Sequence, residues 1–350
     1  MYLIDDSDIL SWLEEEDPDR LNELYRMADE VRREAVGEEV HLRGLIEISN
    51  YCSRLCGYCG LRAGNREIER YRMHEDEILG CARQAAQYGY GTVVLQGGED
   101  YGIEREWLAN IVRRIKEETP LAVTLSMGER PYDDLAAWKE AGADRFLLRF
   151  ETSDPELYKR IHPAAATDGG VDRIEILGQL RELGYEVGSG VMVGIPGQTY
   201  TGLALDIALF RRLDLDMIGV GPYISHPDTP LGKGDWVRPI LPQEQVPNTE
   251  QMTYKVLALT RLVCPEANIP STTALATINK ETGRELGLMR GANVVMPNMT
   301  PPKYRALYEI YPAKACIDES SGECRVCLRR RIEAIGRQVG TGQGGRLRSV

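Results

Sequence analysis

The run Asn50-Tyr51-Cys52-Ser53-Arg54-Leu55-Cys56-Gly57-Tyr58-Cys59-Gly60 sets three cysteines at C-x3-C-x2-C spacing. Thiolates bind soft transition metals and are the usual ligands of iron–sulfur clusters, and such close spacing lets one loop wrap around a cube. Structural zinc asks for a fourth Cys or His close by to complete a tetrahedron, and this loop offers none. A 4Fe-4S cluster held by Cys52, Cys56 and Cys59 keeps one iron open to a ligand from outside the protein. A second set, Cys316, Cys324 and Cys327, follows near the C-terminus at C-x7-C-x2-C spacing. Cys81, within a helical pattern, and Cys264, before Pro265, read as small buried hydrophobes.

The first cysteine loop needs a strand to deliver it. Leu42-Arg43-Gly44-Leu45-Ile46-Glu47-Ile48-Ser49 is a run rich in apolar residues that feeds straight into the loop, as a strand would. Thr92–Gln96, Ala122–Ser126, Arg145–Arg149, Val187–Val193, Met217–Tyr223, Ile269–Thr273 and Val294–Met296 continue the series, separated mostly by helical patterns. Regular βα alternation implies a parallel sheet, and its extent from Leu42 to Pro297 matches the ~250 residues of a (β/α)8 TIM barrel. A doubly wound open sheet is the alternative. Active sites of such barrels lie at the C-terminal ends of the strands. There the sequence places the cysteine loop, Gln96-Gly97-Gly98-Glu99-Asp100, Arg149-Phe150-Glu151-Thr152 and Gly194-Ile195-Pro196-Gly197-Gln198-Thr199.

Three units are expected. Residues 1–40 form an N-terminal collar of two acidic helical segments broken at Asp17-Pro18, with Leu10, Leu13, Leu21, Leu24, Met27, Ala28 and Val31 at helical spacing. Residues 41–300 form the barrel, and 301–350 a C-terminal extension carrying the second cysteine set. Of 350 residues, 43% are hydrophobic and 27% charged, an ordinary globular balance, and the net charge of −12 argues against a sequence-independent grip on nucleic acid. Asp5, Asp6 and Asp8 stand where a signal peptide needs a basic segment. No apolar stretch approaches the ~18 residues of a membrane span. The expected compartment is the cytoplasm, where clustered cysteines mean metal or catalysis more often than disulfides.

C-x3-C-x2-C after a first barrel strand resembles the radical S-adenosylmethionine (SAM) superfamily, in which SAM's methionyl amino and carboxylate groups chelate the open iron. The resemblance implies two cofactors, a 4Fe-4S cluster and SAM. Gly97-Gly98-Glu99 looks like the superfamily's GGE motif at the methionyl amino group, Tyr58 matches the aromatic position by the adenine, and Gly188–Thr199 resembles the fifth-strand segment that meets the adenosine. Glu151 and Arg173 match positions that hold SAM, Arg173 being directed at its carboxylate. Two departures stand out. Ala164-Ala165-Ala166 and Asp168-Gly169-Gly170 precede Arg173, and Phe150 occupies a place where histidine is expected. An arginine's commonest fate is a surface ion pair, the competing reading for both Arg149 and Arg173.

Longer blocks narrow the match. His41-Leu42-Arg43, Arg70-Tyr71-Arg72-Met73, Leu95–Asp100, Thr124–Glu129, Ala141–Arg145, Gly219–Leu231, Pro270–Ala274 and Met296–Pro301 together are similar to the HydE family of FeFe-hydrogenase maturases. That resemblance implies assembly of the hydrogenase di-iron subcluster from an organometallic iron–cysteine synthon carrying CO and cyanide, with HydG and HydF as partners. Arg43, Gln96, Thr124, Arg149, Thr272, Thr273 and Tyr304 are the candidates for the pocket that would hold it. It also implies an accessory iron–sulfur site, 2Fe-2S or 4Fe-4S, on Cys316, Cys324 and Cys327; a zinc knuckle or unpaired thiols compete. His41, His74, His162 and His226 read as structural or surface residues. The tail, with Gly344-Gly345-Arg346, is expected to fold back over a barrel mouth. Competing functions are methylornithine synthase or biotin synthase, which share the barrel, and a non-enzymatic iron–sulfur carrier.

Overall fold

A computed structural model describes residues 4–163, 172–315, 317 and 321–347. Its N-terminal helices begin where their caps dictate. The Asp5 carboxylate accepts from the backbone of Ser7 and Asp8 to start α1 (Asp6–Glu14), and Asp17 with Pro18 behind it starts α2 (Pro18–Val36). Aspartate at the N-cap and proline in the first turn are favoured because the first helical N–H groups lack helical acceptors. Both helices lie against the barrel's outer helices, burying Leu21, Leu24, Met27, Ala28 and Val31.

The strands are β1 (Glu39–Ser49), β2 (Thr92–Gly97), β3 (Ala122–Ser126), β4 (Arg145–Leu147), β5 (Glu186–Val193), β6 (Met217–Pro222), β7 (Val294–Val295) and β8 (Gln338–Val339). Between and after them run α3 (Glu75–Gln87), α4 (Arg105–Glu118), α5 (Tyr132–Glu140), α6 (Pro155–Ile161), α7 (Arg173–Glu182), α8 (Tyr200–Arg212), α9 (Glu250–Val263), α10 (Thr273–Ile278), α11 (Gly283–Leu288), α12 (Pro302–Arg305) and α13 (Ser321–Ala334). All pairings are parallel, in the order β6-β5-β4-β3-β2-β1-β7. The ring closes through the single bridges Met217↔Asn268 and Pro270↔Val294.

That closure corrects one sequence expectation. Ile269–Thr273 does not form a strand, because Pro270 has no N–H for a ladder and Thr272 already caps α10, its Oγ1 accepting from Leu275 N. β8 has no counterpart among the expected strands; it is two residues long and pairs with Glu39 and Val40 of β1.

Alternation along β1 turns Arg43, Leu45, Glu47 and Ser49 toward the barrel interior and Gly44 toward α3, where an added Cβ would lie 3.3 Å from Ala85 Cβ. The tail closes the end of the barrel opposite the cysteine loop. Arg43 Nη2 and Asn268 Nδ2 donate to Gly344 O at 2.9 and 3.2 Å, and Thr92 Oγ1 and Arg145 Nη2 donate to Gln343 O at 2.9 and 3.0 Å. Glycine is required here: a Cβ on Gly344 would sit 2.6 Å from the His41 ring, and one on Gly91 would meet Gly342 O at 1.5 Å.

Candidate active site

β1 ends at Ser49, and the cysteine loop leaves from it into a cage of fixed partners. Ser53 N donates to Glu99 O, Gly57 N to Ile161 O and Gly60 N to Ile310 O. Arg62 Nε donates to Cys56 O at 3.0 Å, and Arg70 Nη2 to Arg62 O and Asn65 O at 2.9 and 3.1 Å. Glycine spacing reflects close approach. A Cβ on Gly60 would lie 2.3 Å from Glu309 O, and one on Gly98 only 2.1 Å from Tyr51 O. Gly98 of the Gly97-Gly98-Glu99 turn therefore admits the cysteine loop across its own backbone.

Cys56 is buried, and Cys52 and Cys59 are half-buried. Burial pushes the Cys56 thiol up to about 12 and raises Cys52 and Cys59 too, with Cys52 further opposing ionisation of Cys56, and Cys52 and Cys56 that of Cys59. Three such thiols in one loop become thiolates together only beside strong positive charge, which an iron cluster supplies; the donor set fits it. Among the described residues no three His, Cys, Asp or Glu side chains converge on a single point as ligands of one metal ion. A cube takes its thiolates at separate corners, so that convergence is not what it needs.

Beside the loop lies a buried group of two arginines and two glutamates. Arg54 Nη2 reaches Glu129 Oε1 at 3.2 Å and its Nε lies 3.6 Å from Glu99 Oε1; Arg173 Nε donates to Glu129 Oε1 at 2.8 Å and its Nη1 to Arg149 O at 2.6 Å. Burial, with Glu129 beside it, holds the Glu99 carboxyl above its usual range. Arg173 is thus no surface ion pair but a buried one. Arg54 and Glu129 were missed by sequence reasoning, although both stand inside motifs that it used. Asp172 caps α7 and places Arg173 in its first turn; the Ala164–Ala166 and Asp168–Gly170 segments lie outside the described residues.

Tyr58 Oη meets His162 Nε2 at 2.9 Å, and its ring packs against Leu157, Ile161, Met192, Ile195, Tyr223 and Leu231. Burial and the Arg173 charge keep His162 well below the usual histidine range, hence neutral. Glu151 is buried at φ 66, an unusual backbone state for glutamate. Its Oε2 lies 3.0 Å from Arg149 Nη2 but makes no hydrogen bond, and burial raises its carboxyl. Phe150 points the other way, 5.8 Å from the Phe210 ring in the core, so its place asks for an apolar residue.

The expected pocket residues divide by depth. Gln96 sits opposite Glu47 of β1 and donates from Nε2 to Tyr308 Oη at 3.2 Å. Among the described residues, buried Thr124 Oγ1 and Arg149 Nε have no hydrogen-bond partner. Thr272 faces Gly221, where a Cβ would lie 3.3 Å from Thr272 Oγ1, and Thr273 follows it, half-buried. Two candidates fall elsewhere. Arg43 lies in the opposite end layer with the tail, 2.8 Å from Met217 Sδ; a strand extends about 3.3 Å per residue, so it is several residues below the rim. Tyr304 stacks on Tyr71 at 4.6 Å and donates to Glu77 Oε2 at 2.9 Å on α3, outside the barrel. Short α12 turns Tyr304 outward, and Tyr308, one helical turn on, takes the inward place.

The C-terminal extension also delivers Lys314, which pairs with buried Glu47; Asn298 Nδ2 donates to the other Glu47 oxygen at 2.9 Å. Nothing in the sequence marks Lys314, since its role depends on a turn at Ala313, φ 55, that swings it inward. Of the second cysteine set, α13 turns Cys324 into the apolar core and leaves Cys327 exposed, while Cys316 lies outside the described residues. Among the histidines, His226 is buried against Gly60, and His74 caps α3.

A family model described as the Radical SAM superfamily matches residues 46–208. The chain is 47% identical over 328 residues, 93% of its length and 89% of the relative's, to the FeFe hydrogenase maturase subunit HydE of Thermotoga maritima. It is 28% identical to the 3-methylornithine synthase of Methanosarcina acetivorans over 84% of this chain and 79% of that one. Among solved structures, methylornithine synthase (PylB) superposes with a TM-score of 0.80 at 25% identity, covering 97% of this chain and 95% of that one.

Proposed function

The chain belongs to the HydE family of radical SAM enzymes, and from that premise we propose that it builds part of the FeFe-hydrogenase di-iron subcluster on an iron–cysteine synthon carrying CO and cyanide. HydG is the proposed supplier of that synthon and HydF a further partner. The observation that carries the reading is the set of donors turned into the barrel without acceptors among the described residues: Thr124 Oγ1 and Arg149 Nε, beside the Gln96–Tyr308 pair and Thr272. Buried donors left unmatched cost about 1–3 kcal/mol each, so an anionic ligand rich in acceptors answers them.

Cys52, Cys56 and Cys59 would hold the 4Fe-4S cluster, which would supply the single electron needed for reductive cleavage of a bound SAM sulfonium. The chain's own residues do the rest. Gly98 and Glu99 would bring backbone and carboxylate to SAM's amino group, the Arg173 guanidinium would serve its carboxylate, and Tyr58 and Glu151 would hold the adenosine. Arg149, Gln96, Tyr308 and Thr272 orient the synthon, and the enclosed barrel keeps water from a labile complex. Cys316, Cys324 and Cys327 are proposed for a second iron–sulfur cluster on their spacing alone.

The test is reconstituted maturation of apo-hydrogenase with partner maturases. The parent enzyme matures it; Tyr308→Phe lowers the rate about tenfold, the value of one hydrogen bond near 1.4 kcal/mol, and Tyr304→Phe leaves it near parental. Equal losses in the two variants would contradict the pocket drawn here, and failure of the parent would contradict the substrate. Iron and sulfide counts on Cys324→Ala decide the second cluster, which predicts a loss of iron relative to the parent.

A further inference from the structure

Next to the cysteine loop a tryptophan stands outside the core in a strained state. Trp236 is 39% exposed at φ 59, a conformation that a bulky side chain rarely adopts. It is fitted to the loop, since a Cβ added to Gly57 would lie 3.0 Å from Trp236 Cε3, and Leu231 N donates to Gly57 O at 3.0 Å. Gly57 directly follows Cys56. The indole is therefore the aromatic surface through which solvent sees this side of the cysteine loop.

Its neighbours are apolar and cationic. Val237, next in the chain, is 41% exposed. A cavity of about 240 Å³ beside the indole is lined by Lys159, Arg160, Pro163 and Trp236, with no carboxylate among them. Arg62, whose Nε is bound to Cys56 O, lies 5.6 Å from the indole ring. Lys159 lies 3.7 Å from Glu156, a loose pair with both side chains well exposed. Arg238 is matched by Asp154, and exposed Lys233 and Asp235 flank the patch and offset one another.

We propose that the Trp236 patch is the docking surface for a small acidic one-electron carrier protein. The proposal rests on the SAM-cleavage reading and not on the hydrogenase substrate. The electron balance requires an outside donor: one electron leaves the reduced carrier, and SAM's C–S bond takes it up as methionine and the 5′-deoxyadenosyl radical form. A chain of net charge −12 repels an acidic partner over most of its surface. Lys159, Arg160 and Arg62 supply a local cationic rim around an exposed aromatic, the composition of an interface centre. The patch also lies against the loop that the electron must reach.

The probe is a low-potential acidic 4Fe-4S ferredoxin, with dithionite as the reductant that needs no docking. Two variants are compared with the parent: Lys159→Glu/Arg160→Glu, and Trp236→Asn, since asparagine tolerates the left-handed backbone. Binding of oxidised ferredoxin to the protein before cluster reconstitution weakens about tenfold in the charge variant, and its dependence on salt flattens. In the reconstituted enzyme, 5′-deoxyadenosine formation driven by ferredoxin falls in both variants while formation driven by dithionite stays parental. Unchanged ferredoxin binding, or equal losses with both reductants, overturns the docking surface. Absence of product with dithionite in the parent would instead overturn the SAM-cleavage reading.

Discussion

Asp206 on α8 is fully buried, its Oδ1 accepting from Ser153 N and Oγ at 2.5 and 2.6 Å, with the Thr152 side chain also favouring the ionised form. Burial pushes its carboxyl up from 3.8 to about 7. The folded state thus keeps a proton that the unfolded chain releases near pH 4, so this group destabilises the fold progressively as pH rises from about 4 to about 7 and no further above that. Asp206→Asn removes the effect. Denaturant midpoints measured from pH 4 to 8 should fall less with pH in the variant than in the parent; parallel profiles would contradict the buried neutral acid. Single residues also mark the limits of sequence reading. Cys52, Cys56 and Cys59 were legible because their spacing lies within one loop, and Gly98 because it stands in the Gly97-Gly98-Glu99 motif. Tyr304 was expected in the pocket, and Tyr308 and Lys314 were not, because the direction of each side chain is set by α12 and the Ala313 turn, which no periodicity encodes.

The C-terminal tail shows how an element can close a barrel without an apolar anchor. Gln343 and Gly344 offer carbonyls to Arg43, Arg145, Thr92 and Asn268, and Arg346 reaches Asp214, Asp216 and Glu266. Truncation after Gly340 leaves buried Arg43 and Arg145 short of acceptors, at roughly 1–3 kcal/mol for each stranded charged group. The truncated protein should melt several degrees lower, and added sulfate, which can enter the opened end, should recover part of the loss. A melting point equal to the parent's would show that the plug contributes nothing. The first six strands and β7 were readable from apolar runs bounded by turns, and the expected strand Ile269–Thr273 is replaced by single bridges at Asn268 and Pro270; β8 was not expected, because its two-residue pairing with β1 is fixed by tertiary closure. The tail's return over the barrel mouth was expected from the family resemblance of Gly344-Gly345-Arg346; that it closes the far end, over Arg43, depends on packing between residues hundreds of positions apart in the chain.

At the scale of the whole molecule, the barrel separates two ends with different tasks. One end carries the cysteine loop, the Arg54–Glu99–Glu129–Arg173 group and the C-terminal segment with Tyr308 and Lys314; the other is shut by the tail. Among the described residues no helix is long and apolar enough to cross a membrane. The central claim is that this architecture exists to cleave SAM at Cys52, Cys56 and Cys59. The direct measurement is 5′-deoxyadenosine formed under anaerobic reduction by the reconstituted parent and by Cys56→Ala, with iron content determined on both. The account predicts product from the parent, together with loss of both cluster iron and product in Cys56→Ala; a parent that binds iron yet forms no 5′-deoxyadenosine, or a variant that forms as much as the parent, would contradict it.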